Sequence, residues 1–116
     1  PKANYAPFKE LPAAEQAAYK DHAMAGANLV RDKKHFDQTV IAIIGQHEEC
    51  INGSGYPTGL AEKDMDQLSV IVACTNAFDR MVLTTKQTRA EVLKKFTVER
   101  LGLYPLNFIQ ALKEIV

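Results

Sequence analysis

Ten residues near the middle of the chain, Ile51-Asn52-Gly53-Ser54-Gly55-Tyr56-Pro57-Thr58-Gly59-Leu60, hold three glycines and a proline. Glycine adopts positive φ without steric cost and proline fixes its own φ, so such a run is a shaped turn, not a helix or a strand. On either side of it, apolar residues recur at steps of three and four, the spacing of a helix that buries one face. The period of two that a half-buried strand requires survives nowhere in the chain. The fold class that follows is all-α, a bundle of about five helices.

Residues 1–11 carry Pro1 and Pro7 and read as an irregular lead-in. Pro12 suits a first helical turn, where its missing N–H has no cost. Ala13 to Val30 is rich in good helix formers, with a stripe of Ala14, Ala18, His22, Ala25 and Leu29 whose small residues imply close packing. A second helix is expected from about His35 to Cys50, with Phe36, Val40, Ile43, Ile44 and His47 on one face. Residues 51–65 then form a loop. Asp66 reads as the N-cap of a third helix reaching about Val82, burying Leu68, Ile71, Val72, Thr75, Phe78 and Val82. Asn76 and Asp79 are neighbours on its surface. Thr88 caps a fourth helix with Val92, Leu93 and Phe96 inward, and Gly102 stops it. Pro105 opens a fifth, burying Phe108, Ile109, Leu112 and Ile115.

A chain of 116 residues accommodates one domain. Its 14 basic and 14 acidic residues cancel, which gives no general attraction to a nucleic acid polymer or an anionic membrane. Any anion must therefore be bound locally. The apolar runs are too short to span a bilayer and no signal peptide is visible. Cys50 and Cys74 form no CxxC pair, which excludes a zinc ribbon or a thioredoxin motif. They read as two buried reduced thiols, in keeping with a cytoplasmic protein.

Three histidines are present. His35, beside Lys34, reads as a surface residue. His22 and His47 each interrupt an apolar stripe, and Glu48 and Glu49 follow His47. Each histidine alone reads more readily as a core imidazole satisfied by one hydrogen bond. Together, on two helices and next to carboxylates, they make a candidate pocket for zinc, iron or manganese.

The stretch His47-Glu48-Glu49-Cys50-Ile51-Asn52-Gly53-Ser54-Gly55-Tyr56-Pro57-Thr58-Gly59-Leu60 resembles, without a gap, the signature of the HD-GYP domains: HHE, two residues, Asp or Asn, GSGYP, one residue, GL. Leu11 to Glu15, then His22, Gly26, Ala27 and Leu29, resemble the segment that precedes it in that family. Val72 to Asp79 resembles the family's VAxADxxD helix, and Tyr104-Pro105 with Ala111-Leu112 its closing helix. The resemblance implies a helical, metal-dependent phosphodiesterase of bacterial cyclic di-GMP signalling. It also implies metal ligands from an HD pair, a His on the next helix, the two histidines of HHE and a later Asp.

Carried over by residue, His22 matches the next-helix His and His47 the first His of HHE. Glu48 stands at the second His, and Asn76 stands at the Asp. Asp79 matches the motif's second Asp, which is not taken as a ligand. No His-Asp dipeptide occurs in the chain. The spacing puts the HD pair just before Pro1, so residues 1–116 read as one partial HD-GYP-like domain, cut at its N-terminal edge and lacking the helix that carries HD. Asn76 brings no negative charge and Glu48 replaces an imidazole, so no bridged two-metal centre is expected and no stoichiometric metal. Iron or manganese is expected only if an upstream HD pair is present. The family's RPYR is replaced by Thr84 to Arg89, of which Arg89 is a candidate phosphate contact.

The expected function is that of a degenerate HD-GYP module, non-catalytic, acting by protein interaction or nucleotide binding. Its GYP loop (Asn52, Gly53, Gly55, Tyr56, Pro57, Gly59) would meet a GGDEF-domain partner. One alternative is an active cyclic di-GMP phosphodiesterase whose HD ligands lie upstream. Another is a structural or sensory helical domain of a larger regulator. Without the HD helix, apolar side chains on the His22 and His47 helices are expected to lie uncovered. An upstream segment, a second copy or a partner would cover them, or else Tyr5 and Phe8 of the lead-in.

Overall fold

The computed structural model describes residues 8–33 and 35–115. Among the described residues five α-helices follow in order: α1 Ala13–Arg31, α2 Gln38–Gln46, α3 Gln67–Thr84, α4 Arg89–Glu99 and α5 Leu106–Ile115. No strand occurs among the described residues, so the class is all-α. Short 3-10 turns at Phe8–Glu10 and Glu62–Asp64 add structure to the end of the lead-in and to the close of the 51–65 loop. Among the described residues no helix is long and apolar enough to cross a membrane.

Local chemistry sets the helix starts. The Asp66 side chain accepts from Leu68 N–H and begins α3. Thr88 and Glu91 form a reciprocal capping box at α4. At α2 the boundary differs from expectation. Asp37 Oδ1 accepts the Val40 N–H at 2.9 Å, so the helix begins at Gln38, and it ends at Gln46 with His47 as its C-cap.

The main core lies among α3, α4 and α5, where Phe78, Met81, Val92, Leu93, Phe96, Tyr104, Ile109 and Leu112 are buried together. Phe96 meets Phe78 edge-on at 5.6 Å and stacks on Tyr104 at 6.0 Å between centroids. Helix α3 is central: α2, α4 and α5 all pack against it. Helix α1 packs on α2. A Cβ on Gly26 would stand 3.1 Å from Ile44 Cγ2, and one on Gly45 3.4 Å from the Ala27 Cβ.

That close approach corrects the expected α1 stripe. The buried line is Ala23 and Ala27, while Ala14, Ala18 and Ala25 are exposed and Leu29 is 75% exposed. The smallest side chains, not the longest apolar run, decide which face meets α2. Helix α3 is corrected too. It buries Ser69, Val70, Ala73, Cys74, Phe78 and Met81, and leaves Leu68, Ile71, Val72 and Thr75 outward. The face that α3 buries mixes small residues (Ser69, Ala73, Cys74) with large ones (Val70, Phe78, Met81), and its aliphatic stripe is left over. Ile115 is exposed because α5 runs one turn past Leu112, its last buried residue. Leu29 on α1, Val40 on α2 and Phe36 just before α2 are uncovered. Tyr5 and the Phe8 side chain lie outside the described residues. Cys74 is buried and its thiol is pushed up to about 11 by burial, whereas Cys50 is only half-buried.

Candidate functional site

The site forms at the seam where α1 and the end of α2 meet α3. His22 on α1 and His47 at the end of α2 point their Nε2 atoms at each other, 2.9 Å apart. Each ring is held from behind: His22 Nδ1–H donates to the Tyr19 carbonyl and His47 Nδ1–H to the Ile44 carbonyl at 2.7 Å. A carbonyl can only accept, so both protons sit on Nδ1 and both Nε2 atoms carry lone pairs in the neutral rings. Two facing lone pairs repel unless a proton or a metal ion lies between them.

Glu48 completes the cluster, with Oε1 3.7 Å from His22 Nε2 and 3.8 Å from His47 Nε2. The same oxygen accepts the Tyr19 hydroxyl at 2.5 Å and Asn76 Nδ2–H at 3.1 Å. Arg80 Nη1 donates in turn to the Tyr19 hydroxyl oxygen. Burial, and after it the hydrogen bond to Glu48, pushes the Tyr19 hydroxyl above the usual tyrosine range. Tyr56, whose ring lies 6.1 Å from that of Tyr19, is pushed up to about 12, chiefly by burial and next by the Glu48 charge.

The loop beside this cluster is fastened by Glu49, which is fully buried. Its Oε1 accepts from Thr58 N–H (2.9 Å), Thr58 Oγ1–H (2.9 Å) and Gly59 N–H (3.2 Å), and its Oε2 from Leu60 N–H (2.9 Å). Asn52 Oδ1 accepts Ser54 N–H at 3.0 Å, and Gly53 and Gly59 have φ of 80° and 74°. Gly55 passes so close to the preceding backbone that a Cβ would stand 2.5 Å from Cys50 N and Glu49 Cα. The Tyr56–Pro57 bond is cis.

His22, His47, Glu48 and Asn76 are thus brought together, with the loop of Asn52, Gly53, Gly55, Tyr56, Pro57 and Gly59 beside them. Arg89 is the exposed first residue of α4, and the cation hydrogen-bonded into the pocket is Arg80. Asp79 and His35 are exposed. Motif reading misses Tyr19 and Arg80, and it includes Glu49 without giving it a role. Tyr19 lies three residues before His22 and Arg80 four after Asn76, so helical spacing alone puts each on the face of a marked residue.

Among the described residues, the donors brought together here do not fit a two-metal centre. Among the described residues, His22, His47 and Glu48 form a group whose ligand atoms lie within 4.8 Å of one another. Asn76 turns its N–H, not a lone pair, toward Glu48. Two imidazoles and a carboxylate suit a single ion such as zinc, iron or manganese. Such an ion would polarise a bound phosphate.

The HD domain family model matches residues 1–98. Among solved structures, the chain is similar to Bd1817, a HDG"Y"P protein from Bdellovibrio bacteriovorus, with 48% identity and a TM-score of 0.89. The similarity covers 99% of this chain and 37% of that one. No curated protein matches. With the family model spanning most of the chain and the GYP loop folded beside the paired histidines, the chain belongs to the HD domain family, as an HD-GYP domain.

Proposed function

We propose that this chain is a module of bacterial cyclic di-GMP signalling, in the cytoplasm, that has left hydrolysis and works by binding. The carrying observation is the hydrogen bond from Asn76 Nδ2 to Glu48 Oε1. By the resemblance, these two positions carry metal ligands, and here they bond to each other. A neutral amide donating to that oxygen takes up a lone pair that a metal ion would otherwise use. The same reading explains a kept loop beside an altered pocket. Glu49 fixes the loop backbone, so the segment is pre-organised for a GGDEF-domain protein or for the nucleotide, and little ordering entropy is lost on contact.

The test is a hydrolysis assay of cyclic di-GMP with the chain loaded with Mn²⁺ or Fe²⁺, alongside calorimetric binding of the nucleotide and capture of a GGDEF domain. The expected result is no linear product, with binding to the nucleotide or the domain. Metal-dependent turnover would overturn the reading.

A second reading is favoured by one observation, the two Nε2 atoms held ready for a cation. On it, the module is an active phosphodiesterase whose remaining ligands come from residues outside 8–115. A longer chain that carries an HD pair and hydrolyses the nucleotide would support it.

A further inference from the structure

Glu48 puts a charge where the resemblance expects a neutral ring, and its side chain is only 13% exposed. A carboxylate so placed needs strong donors and a compensating positive charge. Tyr19 and Asn76 are neutral donors. The positive charge comes from α3. The Arg80 guanidinium carbon lies 4.1 Å from the Tyr19 ring centroid, and Nη1 donates to the Tyr19 hydroxyl. That hydroxyl donates onward to Glu48. The result is a relay of guanidinium to hydroxyl to carboxylate, in which each bond polarises the next. Lys20 Nζ, 6.0 Å from the Tyr56 ring centroid, adds a second positive charge beside it.

We propose that Arg80 is the resident cation of this pocket: through Tyr19 it holds and neutralises Glu48, so the pocket keeps its shape without a metal ion and takes up divalent cations weakly. Arg80 is a positioning residue. A guanidinium has no lone pair to offer a metal, and its charge repels an ion arriving at His22, His47 and Glu48. The proposal deepens the non-hydrolytic reading of the pocket and rests on it.

The test uses the full chain and titrates Zn²⁺, and separately Mn²⁺, by calorimetry and by thermal melting with and without the ion. Arg80→Met keeps a long apolar stem and removes the charge. It is expected to bind either ion about tenfold more tightly than the unchanged chain. Its melting temperature should fall without the ion and recover with it. Arg80→Lys, which keeps the charge, should bind the ions less tightly than Arg80→Met. If Arg80→Met does not fold, Tyr19→Phe cuts the relay but keeps the ring and the Arg80 charge, so its affinity should rise by less than tenfold. An unchanged affinity in a folded Arg80→Met or Tyr19→Phe chain would overturn the proposal. So would an Arg80→Lys chain that binds as tightly as Arg80→Met. Hydrolysis by the unchanged chain would sink the functional reading instead, while the affinity ratio would still decide the role of Arg80.

Discussion

His22 and His47 face each other through nitrogens that cannot bond without something between them. Their Nε2 atoms are 2.9 Å apart, and both Nδ1 protons are given to backbone carbonyls three residues earlier. Helix backbone thus fixes the tautomer of both rings, the role an outer-shell partner has at a metal centre. Long-range ¹⁵N–¹H spectra should show Nδ1 protonated in both neutral rings. A neutral ring protonated on Nε2 instead would contradict the arrangement.

Asn76→Asp places a second carboxylate against Glu48, where the amide now sits 3.1 Å away. Like charges at that range should destabilise the metal-free chain by about 1–2 kcal/mol. A divalent cation should reverse the loss and bind more tightly than to the unchanged chain. Urea unfolding with and without Mn²⁺ measures both effects.

Glu49→Gln tests the fastening of the loop. One carboxylate oxygen becomes an NH₂ that meets N–H groups of Thr58, Gly59 or Leu60. A buried donor facing donors should cost about 2–3 kcal/mol. Amide exchange across residues 56–60 should rise in the same variant, while α4 and α5 keep their protection.

Two glycines should respond differently to alanine. At Gly55 the new Cβ meets backbone at 2.5 Å, and backbone cannot swing aside as a side chain can. A loss of about 3 kcal/mol is expected. Gly102, with φ of 84° and nothing within 4 Å of its would-be Cβ, should lose only about 1 kcal/mol, the cost of left-handed backbone. Chemical denaturation of the two variants side by side provides the comparison.

Alkaline pH should unfold the chain earlier than its ordinary composition implies. Burial, before any neighbouring charge, raises Tyr19, Tyr56 and Tyr104, with Tyr56 at about 12 against an ordinary 10.0. Above 10 the unfolded chain releases protons that the folded chain keeps. The contribution of Tyr56 is full below that pH and is lost as pH rises through about 12, while those of Tyr19 and Tyr104, raised further, are lost at still higher pH. Melting temperature followed from pH 9 upward should fall, and Tyr56→Phe should flatten the fall.

What the sequence makes legible here is local. Asp66 and Thr88 cap helices through bonds to residues two and three positions on, and the chain order displays those partners directly. Val92, Leu93 and Phe96 sit on a helix with one apolar face, so their burial is readable too. Helices α1 and α3 have more than one apolar or small-residue face, and only the neighbours decide which is used. The periodicity also carries the second helix back to His35, because Phe36 falls on its stripe. Asp37 overrides it with one hydrogen bond. His22, His47, Glu48 and Asn76 stand out through a motif, but Tyr19 and Arg80 belong to no motif. Arg80 meets Tyr19 across 61 positions of chain, and that pairing exists only after α1 and α3 have docked. Glu48 and Glu49 are adjacent and chemically alike. Whether each faces the histidines or the loop is settled by the backbone turn at the end of α2.

The Glu49 attachment has a consequence for how this surface can change over generations. The four hydrogen bonds that shape residues 58–60 end on a side chain outside the glycine-rich tip, and three of them start from backbone N–H groups. None uses the side chains of Ser54, Tyr56 or Leu60. Mutations at those positions can therefore drift without redrawing the curve of the loop. A lineage that keeps Glu49 and the glycines can exchange the tip's chemistry residue by residue and acquire a new binding preference on an old frame.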